Sequence, residues 1–190
     1  GTYAAVATRR DLDAALVRLA CDAGVEVRQG TPVLGATDRD GGIDVETPGG
    51  PIRARYAIGA DGMWSPLRKA LGRATPDYRG EWHAFRQYFR GVSGRAAEVL
   101  YVSFEPDFLP GYLWSFPLPG GRANVGFGIQ RGHGLRTQQM AELWRDLLQR
   151  PHVRELLGPH AAATATPRAW PLPARIDGIE LGHGRAVFVG

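Results

Sequence analysis

The chain has 190 residues, 44% hydrophobic and 22% charged, an ordinary globular composition with room for one large domain or two small ones. Its one cysteine, Cys21, excludes an internal disulfide and a multi-thiolate metal site, and no apolar run approaches the roughly 18 residues of a membrane-spanning helix. Net charge is +4 and Lys69 is the only lysine; the arginines are scattered, which argues against a nucleic-acid-binding stripe.

Residues 1–8 lack a basic region followed by an apolar core, so no signal peptide is read there. A reducing cytoplasm is the default expectation. Residues 8–23 predict a helix, with Leu12, Ala15, Leu16, Leu19 and Ala23 on one buried stripe. Thr8 and Asp11 fit a capping box and Gly24 a stop. Cys21 lies opposite the stripe and reads as an inert thiol. Val25-Glu26-Val27 predicts a short strand, and residues 31–38, 42–47 and 51–56 predict three more. Asp40-Gly41-Gly42 and Gly49-Gly50 separate those three as hairpin turns.

The stretch Ala57–Arg68, AIGADGMWSPLR, reads as strand, turn and helix. Asp61-Gly62 is the turn, Ser65 the N-cap and Pro66 the first helical residue, with Gly72 as the stop. An acid and a glycine delivered to a helix N-terminus suit the edge where an α/β fold meets a phosphate-bearing ligand.

Residues 73–80 are polar and mark a domain crossing. Strands are predicted over 82–91, 98–104, 112–117 and 122–129, with turns short enough for an antiparallel sheet. Tyr112, Trp114 and Phe116 are spaced by two and share a strand face. They must pack against core or against an apolar ligand, and both readings stay open. Pro110 and Pro117 frame this strand and predict an edge position. Asn124, Gly126 and Gly128 suit close backbone approach or a bulge. A helix over 137–149 carries Met140, Leu143, Trp144, Leu147 and Leu148 on one face, and 152–157 continues it after Pro151. No element is read in 158–184; residues 186–189 form a last apolar strand before Gly190. The five histidines show no metal-ligand spacing.

Three of these features together resemble the flavoprotein hydroxylase superfamily that includes p-hydroxybenzoate hydroxylase. They are Arg9, Leu12 and Leu16 in R-x-x-L-x-x-x-L, the AIGADGMWSPLR stretch, and the apolar strand ending in Gly190. Within it, PGYLWSFPLPGGRANVGFG at 110–128 is similar to the signature of the geranylgeranyl reductases. The resemblance implies a mixed α/β (α+β) chain. A partial, Rossmann-like FAD/NAD(P)-binding domain would occupy 1–75 and 178–190, without its first βαβ unit. An antiparallel-sheet substrate domain would occupy 76–177. The G-x-G-x-x-G turn of the family is not in the sequence. The chain is therefore expected to be an internal fragment of a larger enzyme that does not by itself hold FAD stoichiometrically.

By the same resemblance, Arg9 contacts the phosphate–ribityl region of FAD and the Val33 backbone approaches the adenine. Asp61 and Gly62 lie near the pyrophosphate, and Gly190 begins the family's Gly-Asp motif as a further FAD-binding position. Tyr112, Trp114, Phe116 and Pro117 wall a prenyl-binding cavity. Beside these stand plainer readings: a solvated arginine, an ordinary strand residue, a capped turn, a sheet core. No catalytic residue, proton donor or metal ligand is named. The implied activity is an FAD-dependent reductase in which NAD(P)H or another donor reduces FAD. Hydride then passes to a C=C bond of a geranylgeranyl-type lipid. An aromatic monooxygenase or halogenase is the alternative within the superfamily, and a non-catalytic prenyl-lipid-binding module is the alternative outside it. The expected partner is a prenyl-lipid small molecule, not nucleic acid. Peripheral membrane contact from the cytoplasm is left open.

Overall fold

A computed structural model describes residues 5–133, 136–175, 177 and 179–189. The elements in order are α1 (Arg9–Asp22), β1 (Gly35–Arg39), β2 (Gly42–Glu46), β3 (Ile52–Ala54), β4 (Ala57–Gly59) and α2 (Pro66–Ala70). Then come β5 (Trp82–Arg90), β6 (Tyr101–Ser103), β7 (Tyr112–Leu118), β8 (Arg122–Gln130), α3 (Met140–Leu147) and α4 (Pro151–Leu157). The last are β9 (Ala162–Ala163), β10 (Arg168–Leu172), β11 (Gly182–His183) and β12 (Ala186–Phe188). The chain divides into two compact units, one of residues 1–18 and 81–172, the other of residues 19–80 and 173–190. The division falls within α1.

The larger unit is built on an antiparallel sheet in the order β10-β5-β8-β7-β6, with β9 also paired to β5. Side chains alternate across it. One face carries Phe85, Phe89, Leu113, Val125, Phe127 and Ile129, all buried. α3 and α4 cover that face because their apolar residues recur at helical spacing. Met140, Trp144 and Leu147 come from α3, and Val153, Leu156 and Leu157 from α4. Trp144 stacks on Phe127 at 5.9 Å between ring centroids. Its Nε1–H donates to the Gln87 Oε1 at 2.8 Å, so its polar edge is satisfied inside the core. A buried ring of this size is worth about 3–5 kcal/mol against alanine.

In the smaller unit β1-β2-β3 form an antiparallel meander, and β11-β12-β4 a second sheet in which β12 and β4 run parallel. Ile43, Leu67, Ala186 and Phe188 make its core. The Arg185 backbone N–H donates to the Asp38 Oδ2 at 3.0 Å, joining the β11–β12 turn to the meander.

Several expectations change. The stripe of α1 is not buried: Leu16 is 55% and Leu19 63% exposed, and among the described residues nothing covers it. Residues 25–27 form no strand, and β1 begins only at Gly35, because the chain before it finds no continuous ladder. The strand expected over 98–104 shortens to β6, preceded by a 3-10 turn at Arg95–Ala97. The helix expected over 137–149 starts with a 3-10 turn at Thr137–Gln139. β7 is not an edge strand, since it lies between β8 and β6. β6 pairs only with Leu113–Ser115, however, so Pro117 sits where one flank of β7 is open. That is the position a residue without an N–H requires.

Beside the core, Glu105 is buried at 6% exposure. It accepts from Ser103 Oγ at 2.7 Å and Arg150 Nη1 at 2.8 Å, and lies 2.9 Å from His152 Nε2. Burial works to raise its pKa, but the bonds from Ser103, Arg150 and His152 outweigh it and hold the carboxyl below the usual glutamate value. A lowered pKa contributes stability above the unfolded value and loses it as pH falls through the folded one. Below about pH 4 the protein should therefore destabilise steeply. Glu105→Gln should be less stable at neutral pH and show a shallower acid limb in urea unfolding. Parallel pH profiles for the two proteins would contradict the assignment.

Candidate functional site

Among the described residues no helix lies on the second face of the large sheet. By register it carries Trp82, Ala84, Arg86 and Tyr88 from β5, and Asn124, Gly126 and Gly128 from β8. Tyr112, Trp114 and Phe116 come from β7, opposite those glycines and Asn124, and Arg168, Trp170 and Leu172 from β10. The β7 aromatics form a ladder with centroids 6.1 Å apart for Tyr112–Trp114 and 6.2 Å for Trp114–Phe116. Between this ladder and Trp170 the floor is Ala84, Gly126 and Gly128, where side chains are small or missing. The result is a groove of about 770 Å³, within the size range of small-molecule sites.

The two glycines do different things. A Cβ on Gly126 would lie 2.5 Å from the Trp114 ring and against the Phe85 carbonyl oxygen. Gly126 thus lets the indole lie flat across β8, where its Nε1–H reaches toward the Asn124 Oδ1 at 3.5 Å. A Cβ on Gly128 would meet nothing closer than 3.9 Å, so that position keeps the floor open.

The Asp61-Gly62 turn lies in the smaller unit. Asp61 Oδ2 accepts from the Leu67 backbone N–H at 3.1 Å, and Ser65 Oγ accepts from the Arg68 N–H at 3.0 Å. Pro66 has no N–H. The first-turn donors of α2 are therefore consumed by the turn's own side chains, and this helix end has none to offer a phosphate. What remains for a ligand is Gly62, with φ of +76° and open space where a Cβ would stand. A cavity of about 300 Å³ adjoins the turn, lined by Gly62, Trp64, Ser65, Arg68 and Lys69 among others. Arg68 packs its guanidinium 4.0 Å above the Phe188 ring and donates to the Glu180 carbonyl at 2.8 Å. It thus ties α2 to β12 and to the chain before β11. On these observations the turn fits close approach of a pyrophosphate at Gly62, with Asp61 fixing the backbone.

The other expected residues scatter. Arg9 is exposed on α1 and paired with Asp13. Val33 is half-buried in the extended chain before β1. Gly190 lies outside the described residues. Tyr112, Trp114 and Phe116 are brought together, whereas Pro117 alternates to the helix-covered face, opposite Ala123. Sequence reasoning missed Arg86, Arg168, Trp170 and Leu172. The last three do show the spacing of two, but Pro167, Pro171 and Pro173 obscure it. None of the groups with shifted acidity lines the groove: His83, lowered by burial and by Arg131, faces the helices. Among the described residues no three His, Cys, Asp or Glu are grouped to hold a metal.

The glycine geometry gives a paired expectation. Gly126→Ala should destabilise by about 1–3 kcal/mol and alter the near-UV signal of Trp114. Gly128→Ala should fold normally and only narrow the groove. Equal thermal stability of the two variants would contradict the packing described.

Known proteins agree with this architecture. A menaquinone reductase from Mycolicibacterium smegmatis is 34% identical over 134 residues, covering 63% of this chain and 31% of that protein. Digeranylgeranylglycerophospholipid reductase 2 from Methanococcoides burtonii is 30% identical over 156 residues, covering 79% of this chain and 38% of its own length. The chain thus spans about a third of the length of these curated relatives. Among solved structures, a geranylgeranyl bacteriochlorophyll reductase-like protein from Thermoplasma acidophilum aligns over 100% of this chain and 49% of its own. Its TM-score is 0.76 at 20% identity. The halogenase PltM aligns over 95% of this chain and 40% of its own, with a TM-score of 0.71 at 18% identity. At such identities these two speak for the fold alone. Residues 1–154 match the family model described as FAD binding domain, a span that includes the Gly62 turn and the β7–β8 ladder, and the chain belongs to that family.

Proposed function

We propose that the protein is an FAD-dependent reductase that saturates C=C bonds of an isoprenoid lipid. The observation that carries this reading is the helix-free sheet face. It presents a long groove with Tyr112, Trp114 and Phe116 on one side, Trp170 on the other and glycines beneath. An isoprenoid chain is apolar, flexible and unsaturated, and a groove of aromatic rings over a bare backbone floor suits it. The relatives named for menaquinone and digeranylgeranylglycerophospholipid reduction act on lipids with such chains, by their names.

In this reading Gly62 is where the cofactor pyrophosphate approaches the backbone, and Asp61 holds the turn through the Leu67 N–H. The Val33 backbone, in the same unit, would approach the adenine. When bound and reduced by NAD(P)H or another donor, FAD would supply a hydride to the C=C bond, and a proton would complete the saturation. Tyr112, Trp114 and Phe116 hold the chain and exclude water from it. Isoprenoid lipids reside in membranes, so the reading implies peripheral contact with a bilayer from the cytoplasm. Among the described residues no helix is long and apolar enough to cross one.

The test is anaerobic turnover at the protein's full natural length, with a reduced donor and a geranylgeranyl lipid, followed by mass spectrometry. The expected product gains two hydrogens for each bond saturated. An unchanged lipid, with an aromatic substrate hydroxylated or halogenated in air, would replace this reading with the monooxygenase or halogenase one. Lipid binding without FAD binding would leave a lipid-binding module.

A further inference from the structure

We propose that Arg86 and Arg168 form a phosphate clamp on the β5–β10 side of the groove, selecting a lipid with an anionic phosphate ester head over one with a neutral quinone. This rests on the lipid reading above. The two residues are direct partners in the β5–β10 register and project from the same open face. Like charges placed directly opposite each other weaken a sheet. Here the pair stands without a counter-charge: among the described residues no carboxylate pairs with either guanidinium, and the groove lining contains no acid. A bound dianion would remove the repulsion.

The chemistry points to phosphate. Arg86 lies 4.9 Å above the Tyr88 ring, which holds its planar fork in place. Two such forks match the several oxygens of a phosphate ester, each by paired N–H donors. On the same rung, across Gly126, stands the Trp114 ring, and the next rung along the strands, about 7 Å away, is Ala84 opposite Trp170. The site therefore joins a charged side to an apolar body, the complement of an amphiphile. A prenyl diphosphate and a prenyl phospholipid present the same chemistry to the two arginines, whereas a quinone ring brings no charge.

Quenching of tryptophan fluorescence at full natural length tests this, since Trp114 and Trp170 line the groove. The probes are geranylgeraniol, geranylgeranyl diphosphate, a digeranylgeranylglyceryl phosphate and inorganic diphosphate. The charged lipids should bind at least about tenfold tighter than the alcohol, with the preference falling as salt rises. The tighter of the two charged lipids identifies the source of the phosphate. Arg86→Gln/Arg168→Gln should bring the ratio near one while leaving alcohol affinity in place, and the corresponding double lysine variant should restore part of it. If the double variant loses alcohol binding through misfolding, Arg168→Gln alone, at an exposed edge-strand position, should still lower the ratio severalfold. A wild-type ratio near one, or a ratio the glutamines do not change, overturns the clamp and leaves the lipid reading standing. Inorganic diphosphate binding as tightly as its prenyl ester overturns joint recognition of head and chain. No binding of any prenyl compound overturns both the clamp and the lipid reading.

Discussion

The larger unit depends on one constraint, the two-residue alternation of side chains across its sheet. Each strand must supply a core to one side and a surface to the other from the same run of residues. β8 shows the division most clearly. Ala123, Val125, Phe127 and Ile129 are buried against the helices, while Asn124, Gly126 and Gly128 form the opposite side. A shift of one residue in register would exchange the two sets and destroy both core and groove. The ring contacts of Phe85, Phe127 and Trp144 hold the register from one side. The Trp114 indole lying across Gly126 holds it from the other. Stability and ligand-binding capacity are thus two faces of one packing solution.

The smaller unit is organised by hydrogen bonds rather than by bulk. Its core is four buried residues, and its distinctive feature is the turn after β4. Asp61 and Ser65 both cap α2, so the acid that resembles a ligand-binding residue is occupied by the fold. This resolves a chemical difficulty, because a carboxylate repels the phosphate it is associated with. In the proposed reading Asp61 shapes the loop through the Leu67 N–H and Gly62 is where a pyrophosphate would approach.

Much of this was legible in the sequence because it rests on local signals. The Ser65-Pro66 helix start, the Gly-rich turns of the meander and the spacing of Tyr112, Trp114 and Phe116 each have a short-range physical cause. The strand β10 was not legible, since three prolines interrupt its alternation, although as an edge strand it tolerates Pro171. The prolines of β7 signal an edge, yet only the end of the strand beyond β6 is open. The stripe on α1 is apolar but exposed, because periodicity reports amphipathicity and not what covers it. Arg86 and Arg168 are remote in sequence, and only the pairing of β5 with β10 sets them side by side.

In the proposed reading the helix-free sheet face receives an isoprenoid chain. Photolysis of a diazirine-bearing isoprenoid on the protein, followed by peptide mapping, tests it most directly. Label should fall on Tyr112–Phe116 and Arg168–Leu172, and excess geranylgeranyl lipid should compete it away. Label confined to the exposed stripe of α1 or to the covering helices α3 and α4, with those two strands unmarked, would contradict it.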